Sequence, residues 1–233
     1  MARLHRFFGN FALDQARIEI IDPDFIHQCK NVLRVEVGED VLLANGHGQE
    51  ATATLVELAP RKALFEIAEV KENKNEPERS VTLYAAILKR ENFEWIAQKA
   101  TEIGVHTIIP IHTNHTIKLA LNRERIQKII KEAAEQSGRG IVPILGEILD
   151  FSQAVESASK EHEINFACDA SGKEITAKIS AKNIGIFIGP EGGWNDAELA
   201  TFKELKFNVV SLGALTLRAE TAAIVSLYSI LNG

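Results

Sequence analysis

Two glycine-bearing stretches near the C-terminus hold the residue types that serve ligand binding. In "IGIFIGPEGGWNDAEL", Ile184 to Leu199, an apolar run that reads as a buried strand breaks at Gly189-Pro190-Glu191-Gly192-Gly193, and a helix signal follows at once. Glycines remove side chains, so the chain turns tightly and a ligand can lie directly against backbone N–H and C=O groups. Pro190 stiffens one side of that turn. Asn195, with Glu198 three residues on, predicts an N-cap and capping box that bring the first amides of a helix beside the loop. "SLGALTLRAETAA" repeats the design with Ser211, Gly213 and Thr216 ahead of a second helical run. A single turn of this kind reads equally as a tight strand-to-helix connection or as a ligand cradle; two on neighbouring strands of the sequence favour the cradle.

The ligand class is narrowed by what is absent. No Lys follows Gly193 and the glycines do not fit GxGxxG, so neither nucleotide phosphate loop is present. Glu191 inside the loop repels an anion and suits a ligand that is neutral or cationic where it touches. His112 and His115 in "HTNHT" have no Cys or carboxylate beside them, and no metal site is expected.

The elements that position these loops fall into two groups. From residue 17 to 70, short alternating runs ("RIEIID", "EDVLLANG", "QEATATLVEL", "KALFEIAEV") bounded by Gly, Pro, Asn or Asp predict a small antiparallel barrel or sandwich, with one helical segment at "DPDFIHQCKNVLR". The polar segment "KENKNEPERS" reads as a linker and divides the chain into residues 1–72 and 73–233. Beyond it, strand-like and helical runs alternate, which predicts a parallel sheet with helices on both faces. In such α/β sheets the ligand crevice lies outside the carboxyl ends of the strands, where both glycine turns fall.

Composition excludes several classes. The 233 residues are 45% hydrophobic and 25% charged, as in ordinary globular proteins, and 26 Lys+Arg against 32 Asp+Glu leave a net charge of −6. That balance excludes sequence-blind nucleic-acid binding through bulk charge. Cys29 and Cys168 form neither a CxxC pair nor a disulfide framework and are expected as reduced thiols. No run approaches the roughly 18 apolar residues of a membrane span and no signal-peptide core is visible, so a cytoplasmic protein is expected.

"IGPEGGWNDAE" followed by "SLGALTLRAETA" resembles the SPOUT class of RNA methyltransferases, and specifically the RsmE family, which methylates a uridine at ring nitrogen N3 in 16S ribosomal RNA. "RFF" at Arg6 to Phe8, "HQCKNVLR" at His27 to Arg34, "ILKRENFEWIAQKATEIGV" at Ile87 to Val105 and "EAAEQSGR" at Glu132 to Arg139 extend the resemblance over essentially the whole chain. It implies a β-barrel PUA-like RNA-binding domain over 1–72 and, over 73–233, a SPOUT domain with a trefoil knot, working as a homodimer. The implied cofactor is S-adenosylmethionine, with a pocket at Cys168, Ile188, Gly189, Pro190, Glu191, Gly192, Gly193, Ser211, Leu212, Gly213, Leu217 and Arg218.

Under that resemblance the reaction removes an imide proton and leaves charge on the flanking carbonyl oxygens of the base. Arg218 is the expected cation to stabilise it, its alternative being a salt bridge to Glu220. Glu191 is either a general base or a residue that holds the cofactor or caps the helix. Contacts to 16S rRNA, within the small ribosomal subunit, are expected at Arg3, Arg6, His27, Arg34, Lys89, Arg90 and Arg139, each of which reads equally as a solvated surface charge. Two other functions fit the same residues: a SPOUT enzyme with another RNA target, and a non-catalytic RNA-binding or assembly factor.

Overall fold

The computed structural model describes residues 4–116, 120–174 and 179–233; Arg3 lies outside them. The chain divides into two compact units, one of Met1–Glu76 with Ala134–Val142, the other of Pro77–Ala133 with Pro143–Gly233. Among the described residues no helix is long and apolar enough to cross a membrane.

The first unit contains β1 (His5–Phe8), β2 (Arg17–Ile20), α1 (Pro23–His27) continued by a π-helical turn at Gln28–Val32, then β3 (Asp40–Ala44), β4 (Gln49–Ala59) and β5 (Lys62–Glu72). Asp22 caps α1 by accepting from the Asp24 amide at 3.0 Å, and Pro23 sits in the first turn, where its missing N–H has no helical partner to lose. The sheet order is β1-β3-β4-β5-β2, with β1 parallel to β3 and the other pairs antiparallel.

β1 and β2 stand at opposite edges, so of the antiparallel barrel or sandwich expected from the alternation, no closed barrel is formed among the described residues. Alternation reports that one face of each strand is buried, which an open sheet and a barrel share. Closure needs edge-to-edge pairing, and these edge strands have four residues each. The buried face packs on an aromatic cluster in which the Phe25 ring, supplied by α1, lies 4.7 Å from Phe7 and 5.8 Å from Phe65.

A set of enclosed charges ties Ala134–Val142 into this unit. Arg6 pairs with Glu50 and also donates to the Arg139 carbonyl at 3.2 Å. Asn73 donates to the same Glu50 carboxylate at 2.8 Å. The Arg139 guanidinium meets Glu76 at 2.7 Å, and Glu76 further accepts from the amides of Gly140 and Ile141 at 2.8 and 3.0 Å. Glu135 accepts from the Phe8 amide and from Gln28, both at 2.9 Å.

The second unit contains β6 (Ser80–Ala86), α2 (Arg90–Ile103), β7 (Thr107–His112), α3 (Arg123–Ser137) as far as Ala133, β8 (Ile144–Leu145), β9 (Leu149–Asp150), α4 (Phe151–Glu161), β10 (Ile164–Glu174), β11 (Asn183–Ile188), α5 (Asp196–Glu204), β12 (Asn208–Ser211) and α6 (Ala219–Asn232). Every pairing in its sheet is parallel, and the order is β12-β10-β11-β6-β7-β8 with β9 also on β7. β6 and β11 are buried along nearly their whole length, as strands covered on both faces must be. Tyr84 and Phe187 stack at 4.3 Å across those two strands. β11 lies between β10 and β6, and β12 returns past it to the far side of β10. Where β10 runs on against β12, Gly172 lies so close that a Cβ there would sit 2.5–2.6 Å from the backbone of Val210.

Candidate active site

The middle of β10 and the carboxyl ends of β11 and β12 open into one cavity of about 350 Å³. Cys168, Asp169 and Ala170 form its side along β10; Ile188, Gly189, Pro190, Glu191, Gly193 and Trp194 follow β11. Ser211, Leu212, Gly213 and Leu215 to Arg218 come from the loop after β12, and Ala219 and Ala222 from the first turns of α6. The parallel register explains the convergence: Cys168 stands opposite both Ile188 and Val210, so the ends of β11 and β12 lie level with the middle of β10, where its pairing with β12 shifts before running on to Glu174.

Local chemistry fixes the loops. Asn195 caps α5, accepting from the Glu198 amide at 2.8 Å while the Glu198 carboxylate accepts from the Asn195 amide at 2.9 Å, the capping box anticipated in the sequence. The other Glu198 oxygen accepts from the Asn114 amide at 2.9 Å, which draws in the turn after β7. Trp194 Nε1 donates to the Cys168 carbonyl at 3.0 Å, and the indole lies where a side chain on Gly189 would have only 3.1 Å. Gly193 and Gly213 have φ of +68° and +121°, conformations that L side chains rarely adopt.

Of the residues expected in a cofactor pocket, Cys168, Ile188, Gly189, Pro190, Glu191, Gly193, Ser211, Leu212, Gly213, Leu217 and Arg218 all line the cavity. Gly192 faces away from it, against the ring of His115, whose Nδ1 donates to the Gly193 carbonyl at 3.1 Å. Asp169, Ala170, Trp194, Leu215, Thr216, Ala219 and Ala222 complete the lining. Trp194, Ala219 and Ala222 lie within the two motifs, and Ala222 is one helical turn from Arg218, a spacing that puts it on the same face.

Charge in the cavity is unevenly placed. Glu191 and Arg218 are exposed at its rim, and Asp169 accepts from the amide and hydroxyl of Ser171 at 2.9 and 2.5 Å. Burial pushes the Cys168 thiol up to about 12, against a hydrogen bond from Ser226 that works the other way, so Cys168 is a neutral wall and neither a nucleophile nor a thiolate ligand.

The residues expected to touch RNA separate into two groups. His27, Arg34, Lys89 and Arg90 are exposed, Lys89 and Arg90 just beyond the carboxyl end of β6. Arg6 and Arg139 are enclosed, with side chains 8% and 6% exposed, and their guanidinium groups face Glu50 and Glu76. Their surroundings are carboxylates and carbonyls of the first unit, not open surface.

Comparison with known proteins matches residues 74–231 to the RNA methyltransferase domain family and residues 21–68 to the RNA methyltransferase PUA domain. The ribosomal RNA small subunit methyltransferase E of Bacillus subtilis is 30% identical over 237 residues, covering 94% of this chain and 91% of its own length. The chain belongs to the ribosomal RNA small subunit methyltransferase E family. The family member from Mesomycoplasma hyopneumoniae is 35% identical over 175 residues, 73% of this chain and 77% of that protein. Among solved structures, the methyltransferase E of Neisseria gonorrhoeae bound to S-adenosylmethionine superposes with a TM-score of 0.89 at 30% identity, covering 98% of this chain and 97% of that one. A Legionella pneumophila methyltransferase with bound S-adenosylmethionine gives the same TM-score at 29% identity and the same coverage.

Proposed function

We propose that this protein transfers the methyl group of S-adenosylmethionine to N3 of a uridine in 16S ribosomal RNA. The observation that carries this reading is the cavity between the middle of β10 and the ends of β11 and β12, lined by three glycines and three alanines among apolar and a few charged side chains, in a chain whose fold superposes along nearly its full length on a relative that binds that cofactor.

The residues fit the cofactor. Ile188, Leu212, Leu217 and Ala222 offer an apolar slot for a flat heterocycle, and the absence of side chains at Gly189 and Gly213 lets its edge approach the backbone directly. The carboxylates of Asp169 and Glu191 suit a ligand with a cationic centre. Bound there, S-adenosylmethionine supplies an electrophilic methyl group.

The chain's own residues then have to handle a base whose N3 still carries its proton at neutral pH. Arg218, at the cavity rim, is placed to pair its permanently charged fork with a carbonyl oxygen of the uracil, where negative charge grows as the proton leaves; one such donor contributes about 3–4 kcal/mol to comparable steps. Glu191, exposed at the rim, is the candidate acceptor for that proton, its alternatives being to hold the cofactor or cap the helix. Lys89, Arg90, His27 and Arg34 are the exposed cations that would meet the RNA backbone.

The same reading carries a homodimer, a knotted C-terminal segment and a cytoplasmic location, with the assembled small subunit as substrate. Recognition by two modules in each of two subunits offsets the unfavourable net charge through avidity.

The test is transfer of labelled methyl from S-adenosylmethionine to small ribosomal subunits taken from a strain lacking this gene, with the nucleoside identified by mass spectrometry. Label in N3-methyluridine, strongly reduced by Arg218→Ala, is the expected result. Label in another nucleoside would overturn the substrate assignment while keeping the cofactor. Binding of subunits without any transfer would point to an assembly factor.

A further inference from the structure

Glu220 is the second residue of α6, and its side chain is only 12% exposed. Its Oε2 is fully enclosed and has no hydrogen-bond partner among the described residues. Its Oε1 lies 4.0 Å from Nη1 of Arg218, whose side chain is 84% exposed at the rim of the cavity. An enclosed carboxylate oxygen without a donor has lost its water and gained nothing in return, a condition that native proteins keep where another state satisfies the group. The enclosed acids of the first unit, Glu50 and Glu76, stand in contrast, each with cationic and amide donors around it.

We propose that Glu220 is the positioning residue for Arg218: its enclosed carboxylate receives the guanidinium when the cavity and its rim are occupied, and holds the fork toward the base instead of the solvent. The proposal rests on the role of Arg218 in methyl transfer given above. Shortening the present separation by about 1 Å brings the pair into charge-assisted hydrogen-bond range. The movement belongs to a long exposed side chain, whereas Glu220 is fixed in the first turn of a helix beside Ala219, itself 6% exposed. Guanidinium presents five donors in a rigid fork, so two can bind the carboxylate while others face a carbonyl oxygen of the substrate. A lysine at 218 has the charge but not the geometry to do both.

The test measures turnover on small ribosomal subunits together with cofactor affinity by calorimetry. Glu220→Gln keeps the shape and removes the charge. Its kcat should fall about tenfold, as loss of alignment does, with the KM and dissociation constant for S-adenosylmethionine unchanged within a factor of about two. In an Arg218→Ala background the same substitution should alter kcat by less than about twofold, since residues acting as one unit are not additive. Arg218→Lys, which leaves the helix untouched, should lose as much kcat as Glu220→Gln. Equal losses from Glu220→Gln in both backgrounds would overturn the proposal, as would an effect confined to cofactor affinity. Retained kcat with a changed sedimentation coefficient would overturn it too, by assigning the carboxylate to a contact between two copies. Absence of turnover in the unsubstituted protein, on subunits and free RNA alike, would remove both this proposal and the function on which it rests; normal turnover with additive losses would remove this one alone.

Discussion

Trp194 Nε1 donates a 3.0 Å hydrogen bond to the backbone carbonyl of Cys168, joining the loop after β11 to the middle of β10. These are two walls of the same cavity, so one indole sets the distance across which a ligand must fit. The other side of the ring packs on Phe202 at 5.0 Å and Phe151 at 5.8 Å, which anchors the loop in the core under α4 and α5. Trp194→Phe keeps most of that packing and deletes the bond. Stability should drop by about 1 kcal/mol, and S-adenosylmethionine should bind several-fold more weakly. Calorimetry and thermal unfolding on the same sample check both; unchanged affinity would show that the bond does not shape the cavity.

Three glycines are predicted to fail for different reasons. At Gly172 a Cβ would stand 2.5–2.6 Å from the backbone of Val210, which has no side chain to move aside, so Gly172→Ala should not yield a folded protein. At Gly213 nothing lies within 4 Å of the added carbon but φ is +121°, and Gly213→Ala should fold with a loss of about 1–3 kcal/mol. At Gly189 the added carbon meets the Trp194 indole at 3.1 Å, and Gly189→Ala should mainly weaken cofactor binding. Circular dichroism separates the first outcome from the others; a folded Gly172→Ala would contradict the close approach of β10 and β12.

The two thiols give a chemical check on burial. Burial, with a smaller contribution from the Glu39 charge, pushes Cys29 up to about 11, and Cys168 is pushed to about 12. A thiol near 12 is about one part in ten thousand thiolate at pH 8, and the thiolate is the reactive form. Native protein should therefore resist iodoacetamide at pH 8, and both cysteines should label once it is unfolded. Cys29 is buried whereas Cys168 is half-buried on the cavity, so rapid native labelling at Cys168 would show that its thiol ionises more readily than its apolar surroundings imply.

The glycine turns, the capping box at Asn195 and the parallel sheet were legible in the sequence because each follows from local rules: backbone freedom, capping geometry and strand-helix alternation. Three features were not. The open sheet of the first unit could not be told from a barrel, because alternation carries no information on how edge strands pair. Arg6 and Arg139 looked like surface cations because an arginine has the same sequence signature whether it meets phosphate or an enclosed carboxylate, and their partners Glu50 and Glu76 lie 44 and 63 positions away. Residues 134–142 likewise belong by contact to a unit that is otherwise N-terminal, a long-range fact with no local marker.

Those enclosed pairs predict an acid transition. Burial alone would raise the Glu50 carboxyl, but hydrogen bonds from Asn73 and Arg6 and the charges of Arg6 and Lys71 outweigh it and hold the group below its ordinary 4.5. Burial is likewise outweighed at Glu76, by Arg139 and by the amides of Ile141 and Gly140. A carboxyl lowered in the folded state contributes stability that is fully present above the unfolded value and is lost as pH falls through the folded one. The melting temperature should hold between about pH 7 and pH 5 and fall below 4.5 as these groups are forced to protonate. Glu76→Gln should lie lower at neutral pH and show a shallower acid limb, because one of the titrating groups is gone. Arg139→Ala should be worse than Glu76→Gln at pH 7, by about 3–5 kcal/mol against the unsubstituted protein, since it strands an enclosed charge. Parallel acid limbs for Glu76→Gln and the unsubstituted protein would mean that Glu76 ionises alike folded and unfolded, and that Arg139 packs beside it without holding its charge.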